Sequence, residues 1–282
     1  MSTLREKRKK ERRALRRRKT ADWTVVLILC AIAVCCGGYL VYHHWSVKQR
    51  ELEYEKMRQE EALSAATETV IAEPETEEST EETVIYCDPV YDFGQLHEQN
   101  EDIYAWIVVP GTQVDYPVLQ SETDNYYLDY NLDHSKGYPG CIYTNNCNQK
   151  DFTDYNTIFY GHNMKNGSMF GSIHSFEDET FFEEHPYIYV YTENERLTYE
   201  IYEAAKFTDV YIPAQYVINS REDRDRFLND VKETVSDNKL HVRKDLEVGE
   251  EDRLITLSTC VNGERNHRYL VIGVLVETAV YQ

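Results

Sequence analysis

The sequence predicts a mostly β domain with helices (α+β), a barrel or sandwich with helical decorations, held at a membrane by one N-terminal helix. Three observations predict it. Eight short runs rich in Val, Ile, Thr and Tyr recur after residue 100, most of them bounded by Gly, Pro, Asn or Asp. One long stretch among them, SREDRDRFLNDVKETV, has a helical period instead. Upstream, the twenty residues WTVVLILCAIAVCCGGYLVY carry no charge.

Taken from the N-terminus, residues 1–22 form a basic segment. Residues 1–20 hold eleven Lys/Arg against Glu6 and Glu11, although the whole chain has a net charge of −20. The uncharged stretch from Trp23 to Tyr42 follows at once. At about 1.5 Å per residue its length matches the ~30 Å hydrocarbon core of a bilayer. A secretory signal peptide is the competing reading, but the apolar run is long for one and no A-x-A-like cleavage site follows. Trp23 at one end and Tyr39, Tyr42 and Trp45 at the other suit the two interfaces. The positive-inside rule then sets the N-terminus in the cytoplasm and everything after residue 42 outside. The basic segment reads as a topology signal and a contact for anionic lipid, which argues against nucleic acid as a partner.

Residues 43–86 read as a stalk. SVKQRELEYEKMRQEEALSAA favours a charged helix continuing outward, and TETVIAEPETEESTEETV (67–84) has seven Glu and too little apolar content for a core. From residue 87 to 282 the composition is that of one globular domain. It opens with Val90, Phe93 and Leu96 at three-residue steps, which suits a helix, and a short helix is expected over TDNYYLDY. The strand candidates are WIVV, VDYPV, GCIYT, NTIFYG, YIYVYT, LTYEIYEAAKF, RLITLST and RYLVIGVLVETAV. The long helix near 221–236 has Ser220 as its N-cap, acids in its first turn, and Phe227, Val231 and Val235 on one stripe.

Seven cysteines are present, three of them in the apolar span. Outside the cell, Cys87, Cys141, Cys147 and Cys260 could pair, and Cys141 and Cys147 are close enough in sequence for a local bridge. No spacing resembles a zinc site.

Three strand ends could converge. ITLSTC finishes on Cys260, IFYGHNM sets His162 just past a strand with Gly161 allowing the turn, and Arg268 begins the last strand. Asn262-Gly263 lies between Cys260 and Arg268 and is a strong hairpin signal. A hairpin there would bring Cys260 and Arg268 out side by side at one rim. A thiol attacks a carbonyl once deprotonated, an imidazole holds and returns the proton, and a guanidinium is a fixed donor for an oxyanion. Arg265 and His267 lie in the same loop and compete for these roles. Taken singly, each residue also has a structural reading.

TLSTC with Arg268 eight residues on, YGHNM, and the flanking YGHNMKNGSMFGSI, DIYAWIVVPGTQVDYPVLQ and TDNYYL resemble the sortases, and class B sortases in particular. The resemblance runs from about Asp88 to Val280. It implies a closed eight-stranded β-barrel with N-terminal helices, and His162, Cys260 and Arg268 as the catalytic set. It implies that Cys260 attacks the Thr carbonyl of an NPQTN-like C-terminal sorting signal on a surface protein. A peptidoglycan-precursor amine then resolves the thioacyl-enzyme, and no metal or organic cofactor is needed. The matching groove positions are Leu128, Tyr160, Ser258 and Thr259. Asp124 stands where some members have Asn, and Val261 where several have Glu.

Three other readings stay open on the sequence. A pilin-polymerising enzyme would accept a lysine of another subunit. A hydrolytic cysteine peptidase would use the same acyl-enzyme with water as acceptor. A non-catalytic adhesin or receptor ectodomain would keep Cys260 as a structural residue.

Overall fold

The computed structural model describes residues 2–66, 85–234 and 240–282. The acidic stretch 67–84 and the last two positions expected of the long helix therefore lie outside the described residues. Two compact units are present, Met1–Leu52 and Glu53–Gln282. Helix α1 runs over Ser2–Ala66. Its portion Trp23–Gln59 contains the one segment, among the described residues, long and apolar enough to cross a membrane.

The second unit is a barrel. Its strands are β1 (Ile85–Cys87), β2 (Ile103–Val108), β3 (Asp115–Leu119), β4 (Ile142–Thr144), β5 (Asn156–Tyr160), β6 (Tyr187–Tyr191), β7 (Glu195–Thr208), β8 (His241–Val242), β9 (Leu254–Val261) and β10 (Glu264–Tyr281). Round the ring the order is β10-β9-β5-β4-β3-β2-β6-β7, and β7 pairs back onto β10, so eight strands close on themselves. Strand β1 adds in parallel to the far end of β10, and β8 adds to β7, both outside the ring. Closure removes the open edges that a flat sheet would expose. The two long strands that make it, β7 and β10, carry register shifts at Ile272/Gly273 and Leu275/Glu277, where bulges let them curve.

Helices α2 (Phe93–Gln99), α3 (Tyr126–Asp129), α4 (Glu179–Glu184), α5 (Ile212–Gln215) and α6 (Arg221–Thr234) decorate the ring, with a 3-10 helix at Gly171–Glu177. All eight strand candidates form strands, and the expected helices appear as α2, α3 and α6. Strands β1 and β8, helices α4 and α5 and the 3-10 turn are additions. They are too short to leave a periodic trace in the sequence.

Two cores sit on opposite faces of strands β9 and β10. Ile255, Leu257, Tyr269 and Val271 belong to the larger one, with Trp106, Phe159, Phe176 and Phe182. Tyr54 and Met57, in the part of α1 within this unit, are buried in it, and the Tyr54 ring packs edge-on against Tyr116 at 5.2 Å. Leu254, Leu270, Ile272 and Val274 turn outward into the second core, under Phe227, Leu228 and Val231 of α6. Helix α6 is started by the Ser220 hydroxyl, which accepts from the Asp223 N–H at 3.3 Å, with Glu222 and Asp223 near its positive end. All seven cysteines are unbridged.

Candidate active site

Strand register builds the site. Strand β5 runs parallel to β9 with Tyr160 beside Ser258, and the Gly161 N–H continues the ladder by donating to the Ser258 carbonyl at 3.3 Å. Beyond Gly161 the chain leaves the β9 ladder through His162, and the next residue, Asn163, reaches the Cys260 carbonyl with its side chain at 2.8 Å. On the other side of β9, the antiparallel register sets Cys260 directly opposite Arg268. Cys260 and Arg268 thus stand on neighbouring strands about 4.8 Å apart, and His162 lies where the third chain leaves the sheet beside them. Cys260 and Arg268 share the side-chain alternation of Leu254 and Leu270, which face outward. Cys260 is exposed, and His162 and Arg268 are half-buried.

Local chemistry explains each placement. A Cβ on Gly161 would stand 2.5 Å from the Ile142 side chain and 2.8 Å from the Phe170 ring, so only glycine lets the chain turn there to present His162. The β9–β10 hairpin turns on Asn262-Gly263, flanked by the pair Val261–Glu264, with Gly263 at φ +80°. Residues 265–267 then bulge from the ladder before Arg268 rejoins it opposite Cys260. Arg265 is therefore exposed outside the ladder, where its carbonyl accepts from the Arg268 guanidinium at 3.4 Å. His267 is turned to the Glu264 carboxylate at 3.0 Å.

The His162 ring is fixed on two sides. Its Nε2 lies 2.8 Å from the Leu128 carbonyl, and the Tyr138 ring packs against it at 4.7 Å. A carbonyl only accepts, so Nε2 carries the hydrogen and Nδ1 is the basic nitrogen of the neutral ring. Leu128 thus meets His162 through its main chain, with an exposed side chain alongside.

The other expected groove positions divide by face. Tyr160 and Ser258 share the outer face with Cys260, one row back, and Ser258 is buried. Thr259 follows the inward alternation of Ile255 and Leu257, and its hydroxyl donates to the Gly161 carbonyl at 2.8 Å. Its side chain therefore braces the strand pair. The Tyr143 and Tyr160 rings stack at 5.5 Å, and the Tyr160 hydroxyl is buried with no hydrogen-bond partner among the described residues. Burial pushes both hydroxyls up, and mainly through burial Tyr211 is pushed up to about 12, so all three remain donors. Asp124 accepts from the Asn146 N–H at 3.1 Å.

Three more side chains gather at the Cys260 main chain that the strand-end pattern did not single out. Asn163 and His174 both reach the Cys260 carbonyl, and His174 is tied to Glu177. A His–Glu pair three residues apart in HSFE is the trace they leave in the sequence.

Residues 107–276 match the family model of the sortase domain. The chain is 35% identical over 168 residues to a sortase B of Listeria monocytogenes, covering 58% of this chain and 65% of that relative. The chain thus spans just under two thirds of the Listeria relative's length. It is 26% identical over 261 residues to a sortase B of Staphylococcus aureus, covering 91% of this chain and 97% of the relative. The fold superposes on the solved Staphylococcus aureus sortase B–substrate complex with a TM-score of 0.64 at 24% identity, over 82% of this chain and 97% of the other.

Proposed function

The chain belongs to the sortase family, and from that premise we propose that it is a membrane-anchored, class B-type cysteine transpeptidase. Its first partner would be a surface protein bearing an NPQTN-like C-terminal sorting signal, and its second a peptidoglycan-precursor amine. The observation that supports this reading is the exposed Cys260 paired opposite Arg268 at a strand end, with Asn163, the neighbour of His162, hydrogen-bonded to the Cys260 carbonyl.

Each step follows from the chemistry of His162, Cys260 and Arg268. Nδ1 of His162 takes the proton of the Cys260 thiol, and the sulfur attacks the carbonyl carbon of the signal's Thr. Arg268 faces the developing oxyanion with a charge that never titrates away. As the tetrahedral intermediate collapses, the C–N bond breaks and the departing amine takes the proton from His162. A thioester to Cys260 remains. The acceptor amine then attacks it, gives a proton to His162 and expels the thiolate, which leaves a new amide bond. Tyr160, Ser258 and the exposed Leu128 would line the path of the peptide, with Thr259 acting through the strand behind it.

Residues 1–22 would lie in the cytoplasm, 23–42 in the bilayer, 43–86 would connect, and 87–282 would work at the outer face of the cell membrane. Lipid is the remaining partner, through the basic segment and the span. The deciding experiment incubates the full-length chain in detergent with an NPQTN peptide, with and without triglycine. A peptide–triglycine ligation product is expected. Cleavage that triglycine leaves unchanged would instead favour the hydrolytic peptidase, and no Cys260-dependent product of either kind would leave the transferase reading without support.

A further inference from the structure

The Cys260 carbonyl is held unlike the rest of its strand. Up to Ser258 the β9 carbonyls on this side accept main-chain N–H groups from the β5 chain. At Cys260 the neighbouring chain has turned away through His162, and side chains take over. Asn163 Nδ2 donates to the Cys260 carbonyl at 2.8 Å, and His174 Nε2 stands 3.0 Å from the same oxygen. Asn163 Nδ2 is also 2.9 Å from His174 Nε2, and His174 Nδ1 is 2.8 Å from the Glu177 carboxylate. The His174 ring lies nearly parallel on Tyr269 at 4.9 Å, next to Arg268, and the Glu177 carbonyl is met by His241 Nε2 at 3.1 Å.

We infer that Glu177, His174 and Asn163 are a positioning relay for the nucleophile, acting through the main-chain carbonyl of Cys260. The hydrogen bonds close in either state of the imidazole. When it is neutral, Nδ1–H goes to Glu177, Nε2 accepts one Asn163 hydrogen, and the other Asn163 hydrogen reaches the Cys260 carbonyl. When it is protonated, Nε2–H donates to that carbonyl directly and Asn163 still does so. The carbonyl therefore keeps a donor throughout. Cys260 needs this because its strand ends one residue later, and a peptide free to rock there would swing the sulfur out of line with His162. An ångström of misplacement at a reacting atom costs about a hundredfold in rate. None of the three touches the reacting atoms, so their effect belongs in turnover and not in substrate binding.

The inference rests on Cys260 being the nucleophile, and its test separates the two. Full-length Asn163→Asp, His174→Ala, His174→Gln and Cys260→Ala are compared in detergent. Turnover is followed with an NPQTN peptide plus triglycine, and Cys260 alkylation by iodoacetamide with mass spectrometry of the Cys260 peptide. Asn163→Asp keeps the shape but turns a donor toward the carbonyl into an acceptor. It and His174→Ala are expected to lower kcat about ten- to a hundredfold with KM and melting temperature near the parent's, and to slow alkylation several-fold. His174→Gln, whose amide nitrogen reaches the place of Nε2, should recover most of the loss. Parent-like kcat and alkylation in folded Asn163→Asp or His174→Ala would overturn the relay. A loss confined to KM would overturn it too, as would His174→Gln performing no better than His174→Ala. Parent-like activity in Cys260→Ala would instead remove the nucleophile assignment beneath it.

Discussion

The same strands, β7, β9 and β10, pass beneath helix α6 and end at the rim that carries Cys260, and the two regions treat charge in opposite ways. Under α6 the ionisable groups are sealed in. Arg224 is buried, but its guanidinium finds the carbonyls of Glu250 and Asp252 and the carboxylate of Asp225. Glu203, equally buried, has neither carboxyl oxygen hydrogen-bonded among the described residues, and burial pushes it up to about 8 against a small pull from Lys232. At the rim, by contrast, Cys260 stands in solvent, and the polar atoms of its neighbours are engaged by carbonyls and rings. A charge that only has to be stored can be walled in at a cost in stability. One that must appear and vanish during a reaction is left where water, substrate and a fixed partner all reach it.

Substitutions on the two sides should therefore fail differently, and the largest effect is expected at the rim. Cys260→Ala should abolish transfer, by about 10⁴-fold or more, with no change in melting temperature. A folded Cys260→Ala that still ligated peptide to triglycine would erase the contrast altogether. Next comes Arg268→Ala, for which kcat should drop about 10²- to 10³-fold, the cost typical of removing one oxyanion donor.

Under α6 the expected effect is on stability. Glu203 has a folded value near 8 and an unfolded value near 4.5, so the unfolded chain gives up its proton first as pH rises. The native state accordingly loses stability between about pH 4.5 and 8, on the order of a few kcal/mol, and the loss levels off above pH 8. Glu203→Gln should remove that slope, melting higher than the parent at pH 8 and close to it near pH 5. Chemical denaturation at the two pH values measures the difference, and an unchanged slope in the variant would show that Glu203 is not its source. The smallest effect is expected for Arg265→Ala, which should keep kcat within about threefold of the parent, in line with an exposed surface charge. Equal losses for Arg265→Ala and Arg268→Ala would undo the distinction that strand register draws between them.

Much of this could be read from the residues. The alternation in ITLST and RYLVIG, with Asn262-Gly263 between them, specifies a hairpin. Its two-residue turn alone would set Arg265 opposite Cys260, and the bulge at residues 265–267, which brings Arg268 there instead, has no trace in the alternation. What alternation cannot specify is which distant strands become neighbours. That β5 lies parallel against β9 comes from the fold itself, whereas the family resemblance implied only that His162, Cys260 and Arg268 belong together. The Asn163–His174–Glu177 cluster was illegible for the same reason. Its members meet through an irregular turn and a 3-10 helix, where no period links a residue's place in the sequence to its direction in space. Thr259 shows the opposite failure. It adjoins Cys260 in the chain, yet strand alternation turns its side chain to the other face.

The closed ring also bears on mechanical load. Strand β1 joins the sheet beside Ala279 of β10, whereas Cys260 sits beside Arg268 at the other end of that strand. The two points are about 36 Å apart at strand rise. A force applied between these two points would pull lengthwise along β10, against its ladders with β7, β9 and β1 together. Hydrogen bonds loaded in this way must yield in shear, many at once, instead of unzipping one by one.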